Sequence, residues 1–243
     1  MSSLNQKIIS VIIPFYNEQI ELPSIVKDIN KFEKKNSNLI LEYLFFNDCS
    51  NDKSLIVLKK YINKLPISIR SKIKIFENKK NIGWSKTLIR AYKITKGKFT
   101  IFIPSDGEAK LTEFLKKINL NNDVIIYQRK SMPGRPLFRK IISHVYRYVI
   151  ALIFFIKPMD FNGIIMMKTK KIKKLKISSA SFFISAEIIV KCLKLNYSIN
   201  SNNFFKLFPK TEYKSTSLSF YQFYKIIIDI IKTYKFFFII SYL

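Results

Sequence analysis

Lys98 to Glu108, KFTIFIPSDGE, is the stretch that decides the fold. Its apolar run, Phe99-Thr100-Ile101-Phe102-Ile103, is rich in β-branched and aromatic residues and stops at Pro104-Ser105. A strand buried on both faces of a parallel sheet reads as such a continuous run. Two carboxylates follow, Asp106 and Glu108, with Gly107 between them. Open α/β sheets bind ligands beyond the carboxyl ends of their strands, where a carboxylate pair can hold a divalent cation against nucleotide phosphates. An ordinary Asp-Gly turn has the same letters, so the surrounding chain must decide.

Upstream the same pattern repeats. Ile8 to Ile13, IISVII, closes on Pro14-Phe15-Tyr16-Asn17-Glu18, and Leu22, Ile25, Val26, Ile29 and Phe32 then recur at helical spacing. Leu41 to Phe46 runs into the polar turn Asn47 to Asp52, ahead of a helix carrying Leu55, Leu58 and Ile62. Ile73 and Ile75 mark a third strand, Asn78 to Gly83 a loop, and Leu88, Ala91 and Tyr92 a third helix. This alternation predicts an α/β fold with a mainly parallel sheet flanked by helices. Neither GxGxxG nor GxxxxGK[ST] occurs. Acidic residues take their place at the strand ends: Glu18, Asp48, then Asp106 and Glu108. Carboxylates beside a phosphate need a cation between, or they face base and ribose donors.

The chain has 243 residues, is 48% hydrophobic and carries a formal charge of +27; its mean hydropathy is +0.06. The charge favours an anionic partner: nucleic acid, an anionic membrane surface or a phosphorylated substrate. Cys49 and Cys192 lack framework or metal-site spacing, which fits a reducing cytosol, and the lone His144 disfavours histidine triads. The first apolar run is too short for a signal peptide. Val149 to Ile156 and Phe236 to Ile240 fall well short of the roughly 20 residues that span a bilayer. Arg135 to Ile156 reads as a helix, Asp160 to Lys168 as a returning strand or turn, and Lys168 to Lys176 as a solvated lysine face. Phe182 to Leu193 is an amphipathic helix on which Glu187 is expected to be exposed. Leu218 to Ile231 is an aromatic, lysine-flanked helix suited to a membrane interface or to core packing.

VIIPFYNE (11–18), FFNDCSND (45–52) and NIGWSKTLIRAYKITKGKFTIFIPSDGE (81–108) together resemble the nucleotide-binding half of family 2 glycosyltransferases with the GT-A fold. The resemblance continues through YQRK, RPLFRKIISHVYRYV, DFNGIIMMK and SFFISAEIIVKCLKLNYSI, in the order and spacing of the dolichol-phosphate mannose synthase-like branch. It implies a catalytic domain over 1–217 and leaves 218–243 unassigned; the residue pattern there reads as a C-terminal amphipathic helix suited to contacting a membrane. Pro14, Tyr16, Asn17 and Glu18 would lie near the nucleoside of a nucleotide-sugar donor, with Asp48 on base or ribose. Asp106 and Glu108 would be the catalytic metal pair for Mg2+ or Mn2+. Arg129, Arg139 and Ser143 would surround the acceptor phosphate. Asn47, Glu108 and Lys110 depart from the family pattern, and an ammonium at 110 cannot ligate metal.

The activity implied is sugar transfer to a polyprenyl phosphate by a peripheral protein on the cytoplasmic, inner face of the membrane. A sugar-hydroxyl acceptor in polysaccharide or lipopolysaccharide synthesis is the alternative. It needs a base, and after Glu108 only Asp160 and Glu187 sit in family-like stretches. A basic nucleic-acid-binding protein and a non-catalytic scaffold rank lower; acids at strand ends would repel a phosphate backbone, so no nucleic acid is expected.

Overall fold

The computed structural model describes residues 8–37, 39–115, 120–131, 136–208 and 220–239. Its seven strands are β1 (Ile9–Phe15), β2 (Ile40–Asn47), β3 (Ile73–Glu77), β4 (Phe99–Phe102), β5 (Val124–Ser131), β6 (Ile164–Lys168) and β7 (Ile199–Lys206). They form one sheet in the order β3-β2-β1-β4-β6-β5-β7. Neighbouring strands from β3 to β4 are parallel; β6 is antiparallel to both β4 and β5, and β7 is parallel to β5. The mainly parallel α/β sheet expected from the sequence is therefore present, with one reversed strand inside it.

The helices are α1 (Leu22–Asn36), α2 (Ser54–Ile62), α3 (Ile67–Arg70), α4 (Trp84–Ile94), α5 (Leu111–Phe114), α6 (Leu137–Phe154), α7 (Thr169–Lys174), α8 (Ile184–Lys194) and α9 (Phe220–Ile239). β1 and β4 are buried along their whole length, which is why their sequences carry no polar alternation. β7 is the opposite case, a partly exposed strand reading INSNNFFK, and its sequence does not announce it. α6 stops at Phe155, which takes a left-handed conformation, and Arg135, where the helix was expected to begin, lies outside the described residues.

Two further expectations are corrected. Glu187 is not a surface carboxylate: it is fully buried on α8. The lysines from 168 to 176 are not simply a solvated face. Lys168 and Lys171 both pair with Asp123, at 3.0 and 2.6 Å, and the Lys173 ammonium donates to the Thr95 carbonyl.

Chain order runs outward from β1 through β2 to β3, then returns to β1's other side with β4. Between β1 and β4 the order reverses. Such a switch point opens a crevice at the carboxyl ends of the strands, flanked here by Pro14–Glu18 and Pro104–Glu108.

Candidate active site

The crevice is built from loops that fasten one another. Asn17, in a left-handed conformation with φ 56°, donates its N–H to Ser50 Oγ at 3.0 Å and accepts from Asn51 N–H through Oδ1 at 3.0 Å. Glu18 N–H donates to Ser54 Oγ at 2.7 Å, and Asn47 Oδ1 accepts from Ser50 N–H at 2.9 Å. Asn tolerates positive φ readily; Cys49, with φ 60°, has no such preference, so the 47–52 loop holds local strain where a ligand would approach. Pro14 is buried under this platform and Tyr16 is 43% exposed above it.

Asp48, expected on base or ribose, is 4% exposed and turned into the protein. Its Oδ1 accepts from Asn78 Nδ2 at 2.7 Å and Ile82 N–H at 3.0 Å, and its Oδ2 from Gly83 N–H at 2.8 Å. It thereby fixes the 78–83 loop and the start of α4. Asn78 also donates to Thr87 Oγ1 at 2.8 Å and accepts from Arg90. Asn78 was not singled out from sequence; its only signal is a polar residue opening the loop after β3.

On the other wall, Gly107 has φ +74°, and a Cβ there would meet the Glu21 carboxylate. Glycine thus lets the chain turn between Asp106, which is half-buried, and Glu108, which is buried. The Glu108 N–H donates to Asp106 Oδ1 at 3.2 Å, and its carbonyl accepts from Phe208 N–H at 2.9 Å. The Lys110 ammonium sits 3.8 Å from the centre of the Phe208 ring. Trp84, first residue of α4, meets Phe102 of β4 edge-on, linking the two walls.

Arg129 of β5 donates from Nε to Asp160 Oδ2 at 2.7 Å and from Nη2 to Oδ1 at 2.6 Å. Burial by itself would lower the guanidinium pKa, yet Asp160 and then Glu108 hold it raised, so the pair lies within electrostatic reach of the acidic turn. Gly163 allows the Asp160 turn to approach β5, because a Cβ there would collide with the Tyr127 carbonyl. Arg147 of α6 adds a positive charge near Asp160, and burial, followed by Asp160, pushes the Tyr146 hydroxyl pKa up. Arg139 and Ser143, both half-buried, lie on the same helix face about two turns and one turn before Arg147. Of α6, Tyr146 and Arg147 thus lie within electrostatic reach of the Arg129–Asp160 pair, with Ser143 and Arg139 farther along the helix toward its N-terminus. Glu187 is elsewhere, accepting from Ser178 N–H and Oγ, Ser179 N–H and Lys191 Nζ at 2.5–2.9 Å.

Among the described residues no group of three or more His, Cys, Asp or Glu could hold a metal alone. Two neighbouring hard carboxylates do suit Mg2+ or Mn2+ if substrate phosphates and water complete the shell, the usual arrangement for Mg2+.

Residues 10–189 match the family model described as glycosyl transferase family 2. A dolichyl-phosphate beta-glucosyltransferase from Dictyostelium discoideum is 33% identical over 110 residues, covering 44% of this chain and 33% of its own length. The chain spans about a fifth to a half of the length of the curated relatives it matches. S. aureus TarS 1–349, solved with UDP-GlcNAc, superposes with a TM-score of 0.62 at 22% identity, covering 93% of this chain and 66% of that one. Glucosyl-3-phosphoglycerate synthase from Mycobacterium tuberculosis, solved with Mn2+, UDP and phosphoglyceric acid, gives 0.68 at 12% identity, covering 94% and 78%. The fold is that of these GT-A glycosyltransferases.

Proposed function

The chain belongs to glycosyl transferase family 2, and from that premise we propose that it is a nucleotide-sugar glycosyltransferase that moves a sugar to a polyprenyl phosphate at the inner face of a membrane. The observation carrying this reading is α6. One face bears Arg139, Ser143, Tyr146 and Arg147, the last two near Asp160; the other exposes Leu137, Phe138, Ile141, Val145, Leu152 and Phe155, the last at 79%. Cations for a phosphate and apolar area for its lipid tail thus share one helix. α9 extends the apolar surface with Tyr221, Phe223, Tyr224 and Ile227. No described helix is long and apolar enough to cross a membrane, so contact would be made along the interface plane.

In this reading the platform of Pro14, Tyr16, Asn17 and Glu18 receives the nucleoside, while Asp48 acts through the loop it fixes. Asp106 and Glu108 would hold a divalent cation, which supplies charge neutralisation for the departing diphosphate. Arg129 gives one guanidinium edge to Asp160 and offers the other to the acceptor phosphate, with Arg139 and Ser143. A phosphate acceptor is already anionic and needs docking rather than a base.

The likeness to TarS favours a second reading, a sugar-hydroxyl acceptor. Glu187, one candidate base for it, is occupied by four donors and buried. One experiment separates the two: incubation with radiolabelled UDP- and GDP-sugars, a polyprenyl phosphate and anionic vesicles at low salt. Labelled lipid and co-sedimentation are expected. Transfer only to a glycan hydroxyl would replace the reading.

A further inference from the structure

α9 packs on the protein partly through Ile230 and through Tyr234 and Phe237, which meet Phe154 of α6, yet its most deeply buried positions are polar. Its buried described residues are Asp229 and Thr233, 2% and 0% exposed, while Tyr221, Phe223, Tyr224 and Ile231 point outward. A surface helix normally buries its apolar stripe, and burying a carboxylate is costly unless it is hydrogen-bonded. Asp229 is. Its Oδ2 accepts from Ala180 N–H at 2.9 Å, Ser181 N–H at 2.9 Å and Ser181 Oγ at 2.6 Å.

The same turn is gripped from the opposite side. Ser85, second residue of α4, donates its hydroxyl to the Ser181 carbonyl. Two residues earlier, Gly83 caps that helix and gives its N–H to Asp48. A continuous line of bonds therefore runs from α9 through Ser181 and Ser85 to the loop beside the platform. Glu187, by contrast, holds the turn only from its own helix, through residues 178 and 179.

We infer that Asp229, on a helix beyond the family-matched segment, is a positioning residue for the nucleotide-sugar site, acting through Ser181 and Ser85 on the start of α4. This rests on the donor site assigned above. Losing the carboxylate leaves two backbone N–H groups of the turn without their acceptor. The Ser181 carbonyl then shifts away from Ser85, and the Asp48–Gly83 corner loosens. The consequence is weaker donor binding and a raised donor KM, with turnover at saturation affected much less.

The test is calorimetric titration of the full chain with UDP and with GDP, alongside melting temperatures. Asp229→Ala and Ser85→Ala are each expected to weaken nucleotide binding by about 5- to 100-fold, the usual range for coupled sites. The double variant should be no worse than either single one, because both cut one line. All three bonds go to a single oxygen, so Asp229→Asn should restore most of the affinity. Thr233→Val, which touches the same helix seat without the line, should bind nucleotide as the wild type does. Wild-type affinity in Ser85→Ala, or simple additivity in the double variant, would overturn the inference even if Asp229→Ala fails to fold. A wild type that binds neither nucleotide would overturn the donor site itself, and the inference with it.

Discussion

Arg129 and Asp160 share a full guanidinium edge, and Asp160 Oδ2 also takes the Arg129 backbone N–H at 3.1 Å. Their side chains are only 10% and 3% exposed. Removing one partner of a buried pair strands the other charge, at a cost of about 3–5 kcal/mol, whereas replacing both with apolar residues is often near neutral. Asp160→Ala should therefore melt well below the wild type. Arg129→Met/Asp160→Leu should recover much of that loss while staying inactive. Equal melting temperatures for the single and double variants, by differential scanning calorimetry, would contradict the pair's structural role.

If the proposed acceptor site holds, Arg139 would carry more of the phosphate contact, because Asp160 already takes one edge of Arg129. Arg139→Ala should raise the KM for polyprenyl phosphate roughly tenfold or more, as expected for one charge-assisted contact. The donor KM should stay unchanged. Steady-state kinetics varying each substrate in turn decide this; a changed donor KM with an unchanged acceptor KM would reverse the assignment.

Asp106→Asn should leave the fold intact and remove most turnover, by about 10²–10³-fold, the scale for losing a preorganised charge interaction in a transition state. Excess chelator should do the same. Glu108→Asp, which shortens the arm without removing the charge, should be tolerated. Full activity of Asp106→Asn would exclude a role for this pair in the chemistry.

Acid should destabilise the protein through its buried carboxylates. For Asp160, burial alone would raise the pKa, but Arg129 more than offsets it and holds the value below the usual range. Glu187 behaves likewise, with Lys191 and the Ser178–Ser179 donors opposing burial. A group with a depressed folded pKa contributes stability that is fully present above its unfolded value and is lost as pH falls toward the folded one. Urea midpoints should therefore hold from neutrality to about pH 5 and drop below about pH 4, near the unfolded carboxylate values. Glu187→Gln should lower the midpoint at pH 7 and flatten that acid limb; an unchanged slope would contradict the assignment.

The central strands were legible because burial on both faces leaves an uninterrupted apolar run, as in β1 and β4. The same logic fails for β7, whose partly exposed Asn-rich strand has no such run. Glu187 was misread because its neighbours on α8 are apolar and its partners Ser178 and Ser179 come from the loop before the helix. Lys191, four residues on, was the one local hint. Asp229 was opaque for the same reason: its partners lie 48 and 49 residues away. Charged residues whose partners are distant in sequence look like surface residues until the chain is folded.

The interlocked 16–18 and 47–54 loops have a consequence for anyone altering donor choice. Each supplies donors and acceptors to the other, so neither can be exchanged alone without stranding Asn17, Ser50 or Ser54. A graft from another transferase would have to carry both. The same interlock means that a nucleotide docking there as proposed would meet a shelf already assembled, so association would spend little entropy on ordering the loops. Discrimination between bases then comes from fixed shape, and the amides of Asn17, Glu18 and Gly83 should exchange slowly with deuterium even in the absence of donor.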